Sequence, residues 1–278
     1  MMSAGEKKNL FTKREKREKY MPEWKTDMEL FAPEQQIECG EHFVQLYDAE
    51  VRVTGVDGEP PHIDEFDQCA FSSAMFKNMR LAHLKRPTPI QQYIIPIILA
   101  FKGGDILAHA PTGSGKTAAF LLPIIHKIAR RKERGGAAQT ERDTHTPYAL
   151  MLAPTRELCQ QLSDDARRFS TKTGVTVCVS YGGMPMQRSV GALREGCDIF
   201  IGTITRAYHF VKDKIVKSRA SDVSVQRHAR AGGRERVGAL HRRDAQLYCG
   251  RRHNAGSHEP QYYDHCERGR DESRRRHD

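Results

Sequence analysis

Between residues 63 and 217, short apolar runs alternate with longer segments of mixed polarity. The apolar runs occupy residues 106–108, 148–153, 175–179 and 198–201. Continuous apolar runs of this length are typical of strands that are buried on both faces of a parallel sheet. Residues 118–129 have a helical pattern, and the polar residues 130–146 are predicted to form a surface loop. The pattern therefore predicts an α/β fold in which helices flank a parallel sheet.

Residues 1–62 precede this pattern and are predicted to form an N-terminal extension that is partly disordered. Its start is rich in charged residues and has no apolar core, so it does not have the pattern of a signal peptide. Apolar side chains appear from Trp24 onward, and the alternating residues 49–53 predict one short strand. A pair of prolines at 60–61 then separates the extension from the α/β segment.

From Ser218 to the last residue the composition changes abruptly. Residues 218–278 contain no Lys, Ile, Phe, Met or Trp, whereas Arg and His are frequent. A segment of this composition cannot build a core, so this Arg/His-rich tail is predicted to be disordered. Two origins stay open at this point: a shifted reading frame, or a genuine basic tail.

Charge and cysteine content narrow the class of protein. The formal net charge of +10 favours a polyanionic partner, with nucleic acid as the first candidate. The seven cysteines form no Cys-x-x-Cys pair, so free thiols in a reducing compartment are expected. No apolar run approaches the roughly 20 residues of a membrane helix, so we expect a soluble, intracellular protein without a membrane partner.

A glycine-rich segment between the first apolar run and the first helical segment carries the strongest chemical signal. It comprises Ala110, Pro111, Thr112, Gly113, Ser114, Gly115, Lys116 and Thr117. A strand, a glycine-rich loop and a helix in this order predict a phosphate-binding loop. Lys116 is expected to reach the β and γ phosphates of ATP, and the Thr117 hydroxyl is expected to bind Mg²⁺. Ala110 stands where the general pattern has glycine.

A second segment upstream offers groups that suit adenine. In the sequence Arg-Pro-Thr-Pro-Ile-Gln, which ends at Gln91, the glutamine amide can donate to one ring nitrogen of adenine and accept from its amino group. The ring of Phe66 can stack on a base. Taken alone, Phe66 is better explained as a core residue than as a stacking platform, and Gln91 is better explained as a residue on a helix surface.

Together with the phosphate loop, these residues resemble the Q motif (66–91) and motif I (110–117) of the DEAD-box RNA helicases. Three further motifs of that family follow in order: motif Ia (154–158), the Gly-Gly motif and motif Ib. The residues that match their RNA-contacting positions are Pro154, Thr155, Arg156, Gly182, Gly183, Thr203 and Arg206. The resemblance spans about residues 20–217 and is greatest to the Vasa and Ded branch.

The resemblance implies an incomplete RecA-like domain over residues 63–217 that binds ATP with Mg²⁺ and grips the RNA backbone without sequence preference. Arg156 has a second possible role, an ion pair with Glu157 or Asp164. Motif Ib departs from the family pattern Thr-Pro-Gly-Arg, because Ile204 and Thr205 replace proline and glycine. This change alters the turn that presents Thr203 and Arg206.

The same resemblance implies an acidic Asp-Glu-Ala-Asp motif about 25 residues after motif Ib, but residues 225–233 contain no acid. The motifs of the second RecA-like domain are likewise not found. The hypothesis is therefore a helicase by descent that binds ATP and RNA without hydrolysing ATP or unwinding. Its alternatives are a non-catalytic fragment that interferes with intact relatives, an unfolded truncation product, and an ATPase of another class. The expected location is the cytoplasm, including ribonucleoprotein granules, with the nucleus also allowed.

Overall fold

A computed structural model describes residues 24–32, 51–55, 58–100, 105–135, 146–216, 223–229 and 234–240. All of them lie in one compact unit, Met1–Ala245, and the second unit, Gln246–Asp278, falls outside the described residues. Most of the predicted tail and the charged start of the extension also fall outside them.

The described residues form seven α-helices and six strands. The helices are α1 (Asp27–Leu30), α2 (Ser73–Leu81), α3 (Pro89–Ala100), α4 (Lys116–Gly135), α5 (Arg156–Ser170), α6 (Met186–Glu195) and α7 (Ile204–Lys212). The strands are β1 (Ile106–Pro111), β2 (Ala149–Ala153), β3 (Val177–Ser180), β4 (Ile199–Thr203), β5 (Val223–Ala229) and β6 (Arg234–Leu240). A 3-10 turn, Phe66–Gln68, precedes α2.

The six strands form one sheet in the order β1-β6-β5-β2-β4-β3. Strands β5, β2, β4 and β3 pair in parallel, whereas β6 is antiparallel to both of its neighbours. Strand β1 therefore runs in the same direction as β2, and the carboxyl ends of β1 to β4 lie at one edge of the sheet. Helices flank the parallel strands β2, β4 and β3, so the predicted α/β fold is confirmed.

Strands β5 and β6 lie in the segment from Ser218 onward, which the sequence predicts to be a disordered tail. They lie between β2 and β1, with Val223 in register with Ala149 and Arg234 in register with Pro111. Side-chain composition alone gives no indication of such strands. Strand pairing joins backbone N–H and C=O groups, which every residue except proline carries.

Two smaller predictions also need correction. Residues 51–53 have no regular structure, although an alternating pattern predicted a strand there. Helix α4 continues to Gly135, into the segment 130–146 that was predicted to be a loop. Its added residues include Arg131, Lys132 and Glu133, which are good helix formers, so their polarity indicated an exposed helical turn as readily as a loop.

The core lies between the sheet and the helices. Every residue of β2 is buried, and the largest fully buried side chains include Leu121 and Leu122 of α4, Phe169 of α5 and Phe200 of β4. The four described cysteines are free and buried, which confirms the predicted thiols at these positions. Burial raises the pKa of Cys69 to about 11 and that of Cys159 to about 12, so both thiols stay protonated at neutral pH. Within the described part of the chain, no helix is long and apolar enough to cross a membrane.

A buried carboxylate ties the amino-terminal end of β4 to its surroundings. Asp198 is 5 % exposed, and its Oδ2 accepts hydrogen bonds from the Lys132 ammonium (2.7 Å), the Thr176 backbone N–H (2.9 Å) and the Thr176 hydroxyl (3.0 Å). This end of β4 is opposite the edge where β1 to β4 terminate. Asp198 therefore has a structural role.

Replacing Asp198 with alanine should leave Lys132 without its carboxylate and the Thr176 N–H without an acceptor. We expect the free energy of unfolding to fall by about 2–3 kcal/mol, the range for a partly buried charge that loses its partner. Urea denaturation measures the change, and Asp213→Ala, at an exposed aspartate, serves as the control. A loss for Asp198→Ala no larger than that of the control would contradict the structural role.

Candidate nucleotide and nucleic-acid site

All the sequence-predicted site loops lie at the edge of the sheet where β1 to β4 end. The phosphate-loop residues 110–117 begin in the last two residues of β1, Pro154 follows β2, Gly182 lies just after β3, and Thr203 ends β4. Ligands of open parallel sheets bind at this edge because the loops and helix N-termini converge there. These residues form two groups. The nucleotide cluster, beside β1, comprises the phosphate loop together with Thr88 and Gln91. The arginine–glycine cluster, beside β3 and β4, comprises Arg156, Gly182, Gly183 and Arg206.

The phosphate loop has the backbone that its glycines allow. Gly113 and Gly115 adopt φ angles of +83° and +81°, a left-handed region in which side chains are disfavoured. Helix α4 begins at Lys116, within the loop segment 110–117, so the N–H groups of its first turn belong to the loop. A turn of this kind at a helix N-terminus favours a bound anion.

Lys116 is folded back into the loop. Its side chain is 4 % exposed, and its ammonium donates to the carbonyl oxygens of Ala110 (2.8 Å) and Pro111 (2.6 Å). These two neutral acceptors hold the ammonium in the place of a phosphate. A triphosphate would offer full negative charge, so it can draw the ammonium away from them.

The segment upstream of α3 is bonded to the back of the phosphate loop. The Gln91 side-chain amide donates to the Gly115 carbonyl (3.0 Å) and accepts from the Thr88 backbone N–H (3.1 Å). The Thr88 hydroxyl donates to the Ser114 carbonyl (2.8 Å). We name this set of hydrogen bonds the loop tie. It joins residues that are 24 and 26 positions apart in the chain.

Gln91 and Phe66 are both buried, whereas the prediction had them facing a bound adenine. Gln91 is 0 % exposed, and both polar atoms of its amide already have partners in the loop tie. Phe66 is 5 % exposed and packs in the core, so little of its ring is open for stacking. The role of Thr88 was not predicted, although this residue stands inside the motif that ends at Gln91.

The residues of the loop fit a magnesium–triphosphate group in part. The Ser114 hydroxyl oxygen is buried without a hydrogen-bond partner, which a phosphate oxygen would supply. Thr117 is partly exposed at the second position of α4, where its hydroxyl can bind Mg²⁺. Among the described residues, no cluster of three or more His, Cys, Asp or Glu side chains is placed to bind a metal. Thr117 and the phosphates themselves would therefore hold the ion.

The arginine–glycine cluster is built around the turn that follows β3. The Arg206 guanidinium, from α7, donates to the carbonyl oxygens of Tyr181 (3.1 Å) and Met184 (2.9 Å) at the two ends of this turn. Gly183, between them, adopts a φ angle of +99°. Burial and then the nearby charge of Arg156 lower the pKa of Arg206 from its usual value. Two cationic side chains therefore share this turn.

Arg156 lies against the two glycines of the turn. A Cβ atom added at Gly183 would stand 3.1 Å from Nη1 of Arg156, and one added at Gly182 would stand 3.5 Å from Nη2. A side chain at Gly183 would therefore crowd the guanidinium, whereas one at Gly182 would make an ordinary contact with it. The alternative ion pair with Asp164 is not formed, since Asp164 pairs with Lys25 at 3.0 Å.

Thr155 and Thr203 have different local roles. The Thr155 hydroxyl accepts from the Leu158 N–H (3.2 Å) and thereby caps α5. Hydrogen bonds from its own backbone N–H and then from the Thr155 hydroxyl lower the pKa of the exposed Glu157 carboxyl. Thr203 is the N-cap residue of α7 but makes no capping hydrogen bond with its side chain. Despite the altered motif Ib, Arg206 still reaches the turn after β3.

Comparison with known proteins identifies the family. Residues 88–225 match the model of the DEAD/DEAH box helicase family. The match continues past the composition change at Ser218 and ends within β5. DEAD-box ATP-dependent RNA helicase 52A of Oryza sativa subsp. japonica is 39% identical over 186 residues, which cover 65% of this chain and 30% of that protein. ATP-dependent RNA helicase glh-3 of Caenorhabditis elegans is 36% identical over 184 residues, covering 65% of this chain and 25% of that protein.

Solved structures agree with this assignment. A yeast DEAD-box splicing factor superposes with a TM-score of 0.57 at 27% identity, over 67% of this chain and 43% of that one. A DEAD box protein of the hyperthermophile Methanococcus jannaschii gives a TM-score of 0.50 at 25% identity, over 59% of this chain and 41% of that one. The chain thus spans less than half the length of each of these relatives.

The loop tie makes a prediction about the two loop glycines. Alanine at either position is strained by the positive φ angle, at a cost of roughly 1–3 kcal/mol. A Cβ at Gly113 has no atom within 4 Å, whereas one at Gly115 collides with the Gln91 amide. We expect Gly115→Ala to destabilise the chain by about 1–3 kcal/mol more than Gly113→Ala, since overpacking adds to the strain.

The comparison uses urea denaturation of both variants in two backgrounds. In a Gln91→Ala background the collision is removed, so the difference between the two glycine variants should shrink. Equal destabilisation by both glycine variants in the unmutated background would contradict the loop tie.

Proposed function

This chain carries part of the RecA-like domain of a DEAD-box RNA helicase, and from that premise we propose that it binds ATP and the RNA backbone without hydrolysing ATP. The observation that carries the proposal is the loop tie, which joins the segment of Gln91 to a phosphate loop with a buried lysine. The arginine–glycine cluster supports the RNA part of the proposal. The relatives act as whole proteins, so each step is argued from this chain's own residues.

ATP binding would begin with the phosphates. The N–H groups at the start of α4 and the Lys116 ammonium attract the triphosphate, and the lysine exchanges two carbonyl acceptors for charged oxygens. The Ser114 hydroxyl then gains the partner it lacks. Mg²⁺, held by Thr117 and the phosphates, would neutralise part of the negative charge.

Adenine selection would act through the loop tie. The buried Gln91 amide can meet a base only if the segment around Thr88 shifts, because its side chain is 0 % exposed. Such a shift would also move the carbonyls of Ser114 and Gly115, to which Thr88 and Gln91 are bonded. Base recognition and phosphate binding would therefore be coupled. Phe66, packed in the core, would form the wall of the base site.

RNA would lie across the arginine–glycine cluster. Arg156 is exposed beside the backbone of Gly182 and Gly183, and Arg206 holds the same turn from the other side. Guanidinium groups bind phosphate oxygens with two parallel hydrogen bonds, and glycines allow close approach of the strand. Contacts of this kind are made to the RNA backbone and not to base edges, so binding would be independent of sequence and sensitive to salt.

Turnover in the family requires the acidic motif that follows motif Ib. Residues 225–233, where the family has its acidic motif, contain no Asp or Glu. Asp198 is engaged with Lys132 and Thr176, and Glu157 lies in the arginine–glycine half of the site. Binding that stabilises the ground state and the transition state equally does not lower the chemical barrier. A chain of this kind would compete with intact relatives for ATP or RNA.

The purified chain is expected to bind ATP more tightly than GTP and to release no phosphate above background, with or without RNA. Lys116→Ala should abolish nucleotide binding, because the phosphates lose their main counter-charge. Calorimetry measures affinity and a phosphate-release assay measures turnover, with Lys77→Ala, at an exposed lysine of α2, as the control. Equal affinity for ATP and GTP, or RNA-stimulated release that disappears in Lys116→Ala, would contradict the respective part of the proposal.

RNA binding should weaken when the arginine–glycine cluster loses its exposed cation. We expect Arg156→Ala to lower affinity by roughly tenfold for every sequence tested and to reduce the salt slope by about 1. Fluorescence anisotropy with labelled oligo-uridine and oligo-adenosine gives both quantities. Arg194→Ala, near the opposite end of α6, is the matched control. A loss confined to one RNA sequence would indicate base recognition and refute the backbone interpretation.

A further inference from the structure

The N-terminal extension contributes a segment, residues 24–32, that packs on α5 and reaches α6. We name it the clamp segment. Its short helix α1 begins with a capping box, in which the Thr26 hydroxyl accepts from the Glu29 N–H and the Glu29 carboxylate accepts from the Thr26 N–H. The segment is therefore ordered locally, and its contacts with the rest of the chain can be followed one by one.

Helix α5 holds the backbone of the clamp segment. Arg167 donates to the Lys25 carbonyl (2.7 Å), and Arg168, which is only 4 % exposed, donates to the Leu30 carbonyl (2.8 Å). Lys25 forms an ion pair with Asp164 at 3.0 Å. Leu30 is fully buried. These contacts lie on the last two turns of α5, away from Arg156 at its start.

Trp24 connects the clamp segment to α6 as well. Its ring has the Arg167 guanidinium 4.6 Å from the ring centroid and the Arg188 guanidinium 5.3 Å from it. Arg167 belongs to α5, and Arg188 to the first turn of α6. Trp24 remains 41 % exposed, so both arginines stack on it at an exposed site. One indole ring thus links two helices.

The first turn of α6 is in turn bonded to the arginine–glycine cluster. Ser189, next to Arg188, donates its hydroxyl to the Ser180 hydroxyl (2.9 Å) and lies 3.4 Å from the Met184 sulphur. Ser180 and Met184 flank the turn that Arg206 and Arg156 share. A displacement of Arg188 is therefore passed to Gly182 and Gly183 through two residues.

We propose that Trp24 is a positioning residue for RNA: through Arg188 and Ser189 it fixes the Gly182–Gly183 turn against Arg156. This inference rests on the proposed RNA binding at that turn and adds a residue of the N-terminal extension to it. Trp24 itself touches no RNA. Its effect is on the geometry of the turn, so it should not extend to the phosphate loop beside β1.

The test compares Trp24→Ala with Trp24→Phe in the full chain. The alanine variant should lower the affinity for labelled oligo-uridine by about fivefold, corresponding to the loss of two exposed cation–π contacts. The phenylalanine variant keeps an aromatic face and should recover most of that affinity. ATP affinity should not change in either variant. Met28→Ala, at a side chain of the clamp segment that is 87 % exposed, is the control.

Hydrogen exchange gives a readout that does not depend on RNA. Amides of residues 182–190 should exchange faster in Trp24→Ala than in the unmutated chain, whereas those of residues 116–130 should not. If the unmutated chain bound no RNA, the proposed function would be refuted, but the hydrogen-exchange comparison would still test the positioning role of Trp24. Unchanged exchange at 182–190, or RNA affinity that is unchanged or raised in Trp24→Ala, would overturn the positioning role.

Discussion

The hydrogen bonds from Thr88 and Gln91 to the carbonyls of Ser114 and Gly115 are the constraint on which the nucleotide cluster depends. They fix a loop that contains two glycines at positive φ and whose lysine is bonded to its own backbone. Because Gln91 is fully buried, the loop tie cannot be solvated in place; it is either made or replaced by other partners. The nucleotide cluster is thus a bonded unit of two segments, and a ligand that changes one segment must change the other.

The constraint on the arginine–glycine cluster is electrostatic. There, two like charges share one turn, and burial together with the charge of Arg156 lowers the pKa of Arg206. Carbonyl oxygens of Tyr181 and Met184 offset part of that repulsion by accepting hydrogen bonds from Arg206. Arg156 does not take part in these two hydrogen bonds, so a bound phosphate would reduce the repulsion most at Arg156. The clamp segment contacts α5 and α6, and we infer that it acts on this cluster through those helices and not by direct contact.

Much of the fold follows from the sequence because continuous apolar runs identify strands that are buried on both faces, as β2 and β4 are. The phosphate loop was predictable for a similar reason, since the spacing of Gly113, Gly115 and Lys116 is local. The inward orientation of Gln91 was not, because its partner lies 24 residues away and depends on packing. No sequence pattern indicated the role of Trp24, because the helices that it contacts lie more than a hundred residues away along the chain. Strands β5 and β6 were missed because composition reports on cores and not on backbone pairing.

Nucleotide-dependent hydrogen exchange tests the coupling within the nucleotide cluster most directly. The full chain would be compared without nucleotide, with ATP and Mg²⁺, and with GTP and Mg²⁺ at equal occupancy. The account predicts that both nucleotides slow exchange at residues 113–119, whereas ATP alone changes exchange at residues 88–95, which include Gln91 and the start of α3. Identical exchange at residues 88–95 with ATP and GTP would contradict the claim that the loop tie couples base recognition to phosphate binding.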